Sequence, residues 1–341
     1  MPLRRKPVPA RGLEHIAFPM AVYTEVTPEQ AQTLLDQLNL GRLLALRGIE
    51  GGIENTNYFV TTQQGEYVLT LFERLTHEQL PFYLRLTQHL AGKGIAVPAP
   101  QTDARGELLF TLNGKPAAVV EKLDGQSQLQ PQAAHCAQLG QVLARMHLAS
   151  ADFPLQQPNL RGLPWWNATV PHILPHLSSA QAALLQAELA HQNALAQSPQ
   201  YAQLPRSAVH ADLFRDNVLF VGERLSGVFD FYFAGIDTWA FDLGVALNDW
   251  CIDRATGAFE PALLQALLQA YQAVRPLQPV EQQLLPDMLR AAALRFWISR
   301  LWDFHLPRQA SLLKPHDPAH FERILQARIA GANVWANRAF S

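Results

Sequence analysis

The sequence is poor in the residues that mark several classes of protein. It has only two cysteines, Cys136 and Cys251, which excludes a disulfide framework and a zinc site built from four cysteines. Charged residues make up 16% of the chain and the formal net charge is −2, so the composition argues against a nucleic-acid-binding surface. No apolar run approaches the roughly 18 residues that a membrane-spanning helix needs. We therefore expect a cytoplasmic protein without nucleic-acid or membrane partners.

The chain does have enough hydrophobic sequence for two lobes with separate cores, since 48% of its 341 residues are hydrophobic. The first 19 residues differ from the rest, because they carry four basic side chains against one acidic side chain and include no apolar stretch. We predict that residues 1–19 form a disordered extension and not a secretory signal. A basic tail with a binding role is the alternative.

Residues 20–123 are predicted to form a small nucleotide-binding N-lobe. Thr27, Pro28 and Gln30 are typical of a helix start, with Thr27 as the N-cap and Gln30 in the capping-box position. A second helix is predicted at 78–93. The strand candidates, which are apolar and bounded by turn residues, are 43–49, 57–62, 67–72, 108–112 and 117–121.

Beyond residue 123 the apolar residues recur at helical spacing, and residues 124–341 are predicted to form a catalytic and substrate-binding C-lobe. The predicted helices are 131–148, 180–196, 261–274, 280–304 and 318–339. A hairpin with strands at 218–221 and 228–231 is the only predicted interruption. The predicted fold class is therefore α+β, a protein-kinase-like bilobal fold with a small antiparallel-sheet N-lobe and a large, mostly helical C-lobe.

A catalytic motif lies in this hairpin region. His210, Asp212 and Asn217 follow the pattern H-x-D-x-x-x-x-N, and Asp230 comes after the next hydrophobic run. This is the spacing of a kinase catalytic loop followed by a metal-binding aspartate. Asp212 can accept the proton of a hydroxyl, while Asn217 and Asp230 can offer oxygen ligands to Mg²⁺ from one end of the hairpin. The alternative is a loop whose polar residues only stabilise turns.

The nucleotide end of the predicted site carries no familiar phosphate-binding motif, because neither G-x-x-x-x-G-K-[ST] nor G-x-G-x-x-G is present. A glycine-rich segment at 47–57 links two strand candidates instead. Glycines let backbone N–H groups approach phosphates, and Asn55 and Thr56 can add side-chain hydrogen bonds. We therefore expect this segment to cover the phosphates of ATP, with an ordinary hairpin turn as the alternative.

The motif and three longer segments resemble the aminoglycoside phosphotransferase/choline kinase superfamily, and within it the bacterial homoserine kinases of the kinase-fold type. The longer segments are 67–73, 241–251 and 294–308. The resemblance implies an enzyme that uses ATP and Mg²⁺ to phosphorylate a small-molecule substrate, L-homoserine, giving O-phospho-L-homoserine for threonine biosynthesis. The alternatives are a kinase for another amino alcohol or an aminoglycoside, and a non-catalytic nucleotide-binding protein.

The resemblance also implies roles for residues around the motif. Glu121 and Leu123 lie in the segment that joins the lobes and would contact the adenine through their backbone groups. Trp250, in one of the longer segments, would contact the substrate. His210 would brace the catalytic loop more than it would act as a base.

Thr70 is a departure from the kinase pattern. It stands on the strand where kinase folds usually carry a lysine that holds the phosphates of ATP. The compensating contacts would come from Asn55, Thr56, Arg74 or the metal ions.

Two arginines in the helix predicted at 280–304 are candidates for holding the carboxylate of the substrate. Arg300 is the first candidate and Arg295 the second, because charged side chains in a largely buried helix need partners. An arginine matches a carboxylate with two parallel hydrogen bonds. A pair between Arg300 and Asp303 within the helix is the alternative.

Overall fold

The computed structural model describes residues 24–49, 55–306 and 316–338, so the extension predicted at 1–19 lies outside the described residues. The described residues form a small lobe built on an antiparallel sheet and a large, mostly helical lobe, which confirms the predicted α+β bilobal fold. None of the helices in these ranges combines the length and the apolar character that crossing a membrane would require.

The small lobe is one sheet with a helix on each face. Its strands are β1 (Leu43–Gly48), β2 (Asn55–Thr62), β3 (Glu66–Phe72), β4 (Phe110–Leu112) and β5 (Lys115–Glu121), in the order β1-β2-β3-β5-β4. Helix α1 (Pro28–Gln37) begins at the predicted cap, where Thr27 and Gln30 exchange side-chain and backbone hydrogen bonds. Helix α2 (Leu80–Gly92) corresponds to the helix predicted at 78–93 and carries a proline in its first turn.

The two faces of this sheet have different neighbours. On one face, Tyr58 and Leu69 belong to the core beneath α1. On the other face, Phe72 packs with α2 and meets the ring of Tyr232 from the large lobe edge-on, with 5.2 Å between the ring centroids. Because side chains alternate along a strand, the odd-numbered residues of β2 and the even-numbered residues of β3 face the large lobe.

The large lobe is mostly helical, with two small sheets. Its helices are α3 (Ala133–Ser150), α4 (Leu163–Ile173), α5 (Ser179–Ala196), α6 (Pro199–Ala202), α7 (Trp239–Trp250), α8 (Pro261–Val274), α9 (Pro279–His305) and α10 (Ala319–Arg338). Its strands are β6 (Gln126–Ser127), β7 (Arg206–Val209), β8 (Val218–Val221), β9 (Arg224–Val228) and β10 (Gly235–Thr238). Strand β6 pairs with β8, which supports the proposed division of the lobes at residue 123.

The predicted hairpin is present, but the sequence-based prediction placed its second strand too far toward the C-terminus. Strand β9 ends at the residue where the strand predicted at 228–231 was to begin, because a tight turn at Gly222, with φ of 62°, replaces the longer predicted connection. The difference does not change where the hairpin places the two predicted metal ligands. The backbone N–H of Phe229 donates to the carbonyl oxygen of Asn217 at 3.1 Å, so Asn217 and Asp230 lie at the same end of the hairpin.

Helices α4 and α7 were not predicted from the sequence, and each omission has a physical explanation. Helix α4 has a proline, Pro164, in its first turn and contains Pro171, which removes a backbone donor from its last turn. Helix α7 is buried along nearly its whole length, so it shows no polar face and therefore no amphipathic period.

Gly140 makes the close approach of α3 and α8 possible. A Cβ atom at this position would lie 2.3 Å from the carbonyl oxygen of Leu267. We expect Gly140→Ala to lower the free energy of unfolding by about 1–3 kcal/mol, the usual cost of forcing an extra group into a close-packed interior. Urea denaturation measures this difference. Gly92→Ala is the matched control, because nothing lies within 4 Å of its added Cβ. An equal change in the two variants would contradict the account of this interface.

Candidate active site

The catalytic loop, residues 210–217, runs from β7 to β8 and is anchored by a buried aspartate of α7. The carboxylate of Asp242 accepts the backbone N–H of Ala211 at 2.7 Å and that of His210 at 3.3 Å. Ala211 has a φ of 62°, a conformation that a residue with a side chain adopts only when its surroundings hold it there. Asp242 also lies 3.0 Å from Nε2 of His147. Although burial opposes it, this contact keeps the pKa of Asp242 below its usual value.

His210 uses both ring nitrogens to hold the loop. Its Nε2 lies 2.9 Å from the carbonyl oxygen of Phe229, and its Nδ1 accepts the backbone N–H of Asp212 at 3.2 Å. This pairing defines a neutral ring that donates from Nε2, and burial lowers the pKa of His210. We therefore propose that His210 is a positioning residue that ties the catalytic loop to the segment before Asp230.

Asp212 has the environment of a proton acceptor. The side-chain amide of Asn217 donates to its carbonyl oxygen at 2.8 Å and to its carboxylate at 3.3 Å. Burial raises the pKa of Asp212 to about 7; the positive charge of Arg295 opposes this shift and the negative charge of Asp230 adds to it. A carboxylate with a pKa near neutrality is a stronger proton acceptor than an ordinary one and is still ionised in part at pH 7.

Asn217 and Asp230 offer oxygen atoms suited to a hard cation. The Nδ2 atom of Asn217 is engaged with Asp212, so Oδ1 is the atom of this amide that can face a metal ion. Asp230 follows the hairpin with a φ of 64°, a conformation that is uncommon for a residue with a side chain. An amide oxygen and a carboxylate next to a second carboxylate are a donor set that fits Mg²⁺.

The two residues predicted to contact phosphates from β2 lie on opposite faces of the sheet. The loop between β1 and β2, residues 50–54, lies outside the described residues. Asn55 is half-buried and faces the large lobe, as a nucleotide contact would require. The prediction for Thr56 is wrong, because its side chain is fully buried on the face of α1 and its hydroxyl donates to Glu73 at 2.8 Å. Strand alternation turns it away from the interlobe cleft.

The segment that joins the lobes continues from the end of β5. The backbone N–H of Glu121 donates to the carbonyl oxygen of Ala99 at 3.0 Å, so this amide is already engaged. The side chain of Leu123 lies so close to Gly227 of β9 that a Cβ there would approach it to 2.4 Å. We retain as a proposal that the carbonyl group of Glu121 and the backbone of Leu123 contact the adenine.

Two arginines of α9 lie near Asp212. Arg295 is 4% exposed, and its guanidinium carbon lies 3.9 Å from the ring centroid of Phe296. Its Nη1 donates to Ser299 at 3.2 Å, but its Nη2 is buried without a hydrogen-bond partner. Burial lowers the pKa of Arg295 to about 10, although the negative charge of Asp212 acts to raise it. A buried guanidinium with an unused donor, close enough for its charge to act on Asp212, is suited to bind an anion.

Arg300 is less buried than Arg295, and the charges of Asp212 and Asp303 both act on it. Among the ion pairs of the described residues there is none between Arg300 and Asp303, so the pair that the sequence left open is not formed. The unsatisfied donor of Arg295 is buried, whereas Arg300 is only half-buried. We accordingly propose Arg295 as the first candidate for the substrate carboxylate and Arg300 as the second, reversing the order expected from sequence.

The prediction that Trp250 contacts the substrate is wrong. Its side chain is fully buried in the core of the large lobe, and its Nε1 donates to the carbonyl oxygen of Leu213 at 3.0 Å. A large aromatic ring at the end of α7 has its hydrogen-bond donor satisfied by the catalytic loop. Trp250 therefore stabilises the catalytic loop from the core of the large lobe.

Sequence reasoning missed a buried ion pair that holds the middle of the catalytic loop. The backbone N–H of Arg215 donates to the carboxylate of Asp249 at 2.8 Å, and its guanidinium also bonds the carbonyl oxygens of Asp249 and Leu129. Arg215 is 5% exposed. The signal in the sequence was Arg215, a charged residue directly after the apolar Leu213 and Phe214, because a charge that is buried with apolar neighbours needs a partner.

Comparison with known proteins agrees with this geometry. The phosphotransferase enzyme family matches residues 45–277, and the chain belongs to that family. An alignment over 311 residues is 60% identical to the homoserine kinase of Polaromonas naphthalenivorans (strain CJ2) and covers 91% of this chain and 98% of that protein. The homoserine kinase of Janthinobacterium sp. (strain Marseille) is 56% identical over 313 residues, which cover 92% of this chain and 97% of that protein.

A solved structure shows that the fold is shared more widely. An amicoumacin kinase in complex with AMP-PNP, Ca²⁺ and Ami has a TM-score of 0.64 at 17% identity, covering 89% of this chain and 93% of that chain. The match at this low identity concerns the fold alone. The family and the homoserine kinase relatives confirm that the protein is a kinase, and they confirm the resemblance seen in its sequence motifs.

Proposed function

We propose that this protein transfers the γ-phosphoryl group of ATP to the side-chain hydroxyl of L-homoserine, giving O-phospho-L-homoserine in threonine biosynthesis. The names of its relatives support this acceptor. The structural observation that carries the proposal is the buried, partly unpaired guanidinium of Arg295, whose positive charge acts on Asp212. An acceptor that places a hydroxyl at Asp212 and a carboxylate at Arg295 uses both groups. We expect the reaction in the cytoplasm, where ATP and free amino acids are present together.

The phosphoryl transfer follows from the positions of the loop residues. Asp212 accepts a hydrogen bond from the substrate hydroxyl and orients its oxygen toward the γ-phosphorus. As the new phosphorus–oxygen bond forms, the bond from phosphorus to ADP breaks, and the hydroxyl proton passes to the carboxylate of Asp212. The two hydrogen bonds from Asn217 keep this aspartate in place during the transfer.

Asn217 and Asp230 would hold Mg²⁺, which when bound neutralises part of the charge on the phosphates. Within the described residues, no group of three histidine, cysteine or acidic side chains is gathered to hold a metal ion.

We expect Asn217→Ala and Asp230→Ala each to raise the Mg²⁺ concentration for half-maximal activity by at least about tenfold. The reason is that loss of even an indirect partner of a metal site costs about 10- to 100-fold in affinity. Steady-state rates over a Mg²⁺ titration measure this. Asn193→Ala, which removes an amide from the pair with Asn167 on another helix, is the control and should leave the titration unchanged. An unchanged titration in both site variants would show that the metal is held elsewhere.

A panel of acceptors tests the proposed function. L-Homoserine is compared with propanolamine, which lacks the carboxylate, with γ-hydroxybutyrate, which lacks the ammonium group, and with an aminoglycoside. We expect homoserine to have the highest kcat/KM, because only homoserine offers all three groups. A higher kcat/KM for the aminoglycoside or for propanolamine would reject homoserine as the acceptor.

A further inference from the structure

Thr70 occupies the small-lobe position where kinase folds usually carry a phosphate-binding lysine. It lies on β3 two residues before Phe72, so both side chains face the same side of the sheet. Phe72 touches Tyr232, which follows Asp230 by two residues in the large lobe. The face that presents Thr70 is therefore the face turned toward Asp230 and the phosphate end of the cleft.

Thr70 does not stand alone on this face. It is paired directly across the sheet with Asn57 of β2, and its Oγ1 lies 2.7 Å from Oδ1 of Asn57. A hydroxyl that donates to the amide oxygen fixes the rotation of the amide about its last bond. The Nδ2 atom, with its two N–H groups, then points away from Thr70. Thr70 is 6% exposed, whereas Asn57 is half-buried and can reach a ligand in the cleft.

We propose that Asn57, oriented by Thr70, donates an amide N–H to a phosphate oxygen of the bound nucleotide in place of the missing lysine. Asn57 is the binding residue and Thr70 a positioning residue. The inference deepens the proposed function, since it rests on ATP as the phosphoryl donor, but it is independent of the acceptor. An uncharged donor holds a phosphate by direction more than by charge, so it must be held in one rotamer to be effective.

Direct nucleotide binding, measured by calorimetry without any acceptor, tests this inference. We expect Asn57→Ala to weaken MgADP binding by roughly 10- to 100-fold, the range for one hydrogen bond to a charged group. Adenosine, which has no phosphates, should bind the variant as it binds the wild type. Thr70→Val, which keeps the shape of the side chain but removes the hydroxyl, should weaken the binding of MgADP and leave that of adenosine unchanged. Thr70→Ser, which keeps the hydroxyl, should bind MgADP as the wild type does.

Thr61→Val is the matched control, because Thr61 is on the same strand and the same face but away from the pair. This variant should bind both MgADP and adenosine with the affinity of the wild type. Equal losses for MgADP and adenosine in Asn57→Ala would overturn the inference, because they would show a structural role in the sheet. MgADP binding within about twofold of wild type would also overturn it. If the wild type binds MgADP selectively through Asn57 but does not phosphorylate homoserine, the proposed function fails and this inference stands.

Discussion

Asp212→Asn should lower kcat for homoserine phosphorylation by roughly 10²- to 10⁴-fold, the usual contribution of a positioned general base. The substitution keeps the size of the side chain and can keep the contact with the amide of Asn217, so the loop should remain in place. It removes the only group on this loop that combines a raised pKa with the charges of Asp230 and Arg295 around it. Affinity for MgADP should stay within about threefold of wild type, since the nucleotide does not need the base.

Asp216→Asn is the matched control for this variant. Asp216 lies on the same loop but its side chain is exposed to solvent. Its turnover should stay within about threefold of wild type. If Asp212→Asn retained turnover at the level of this control, Asp212 could not be the base.

Arg295→Lys should lower kcat/KM for homoserine by about 100-fold, while kcat/KM for propanolamine should hardly change. Lysine keeps the charge but cannot form two parallel hydrogen bonds to a carboxylate. Truncating one partner of a buried, hydrogen-bonded charge pair costs about 2–5 kcal/mol, which corresponds to the expected loss. Propanolamine has no carboxylate, so the loss of this contact should not affect its use as an acceptor. Steady-state kinetics with both acceptors measure the difference.

Arg290→Lys is the control on the same helix, because Arg290 bonds Glu188 at a distance from the loop. It should change thermal stability more than acceptor preference. Arg300→Lys should reduce the preference for homoserine by less than Arg295→Lys does. Equal losses for homoserine and propanolamine in Arg295→Lys would mean that this arginine is structural and that the carboxylate binds elsewhere.

The catalytic loop was predictable because its information is local. The spacing of Asp212, Asn217 and Asp230 along the chain, with one hairpin between the last two, is enough to bring the three together. The lobes were predictable for the same reason, since short alternating strands give way to helical spacing near residue 123. The error in β9 did not affect the site because a hairpin of either length places its two ends side by side.

The faces and neighbours of individual side chains were not predictable in the same way. Thr56 and Asn55 are adjacent in the sequence, and only the register of β2 decides which of them faces the cleft. Trp250 lies in a segment so evenly buried that no pattern separates a core ring from an exposed one. The bond between Thr70 and Asn57 depends on the pairing of two strands across thirteen residues, which composition and spacing do not reveal.

The most direct test is to identify the product. The purified protein is incubated with MgATP and L-homoserine, and the products are followed by phosphorus NMR and mass spectrometry, with Asp212→Asn in parallel. The account predicts one ADP for each O-phospho-L-homoserine, with the phosphate on the side-chain oxygen, and almost no product from the variant. ADP formation that does not depend on homoserine, or equal product from the variant, would contradict it.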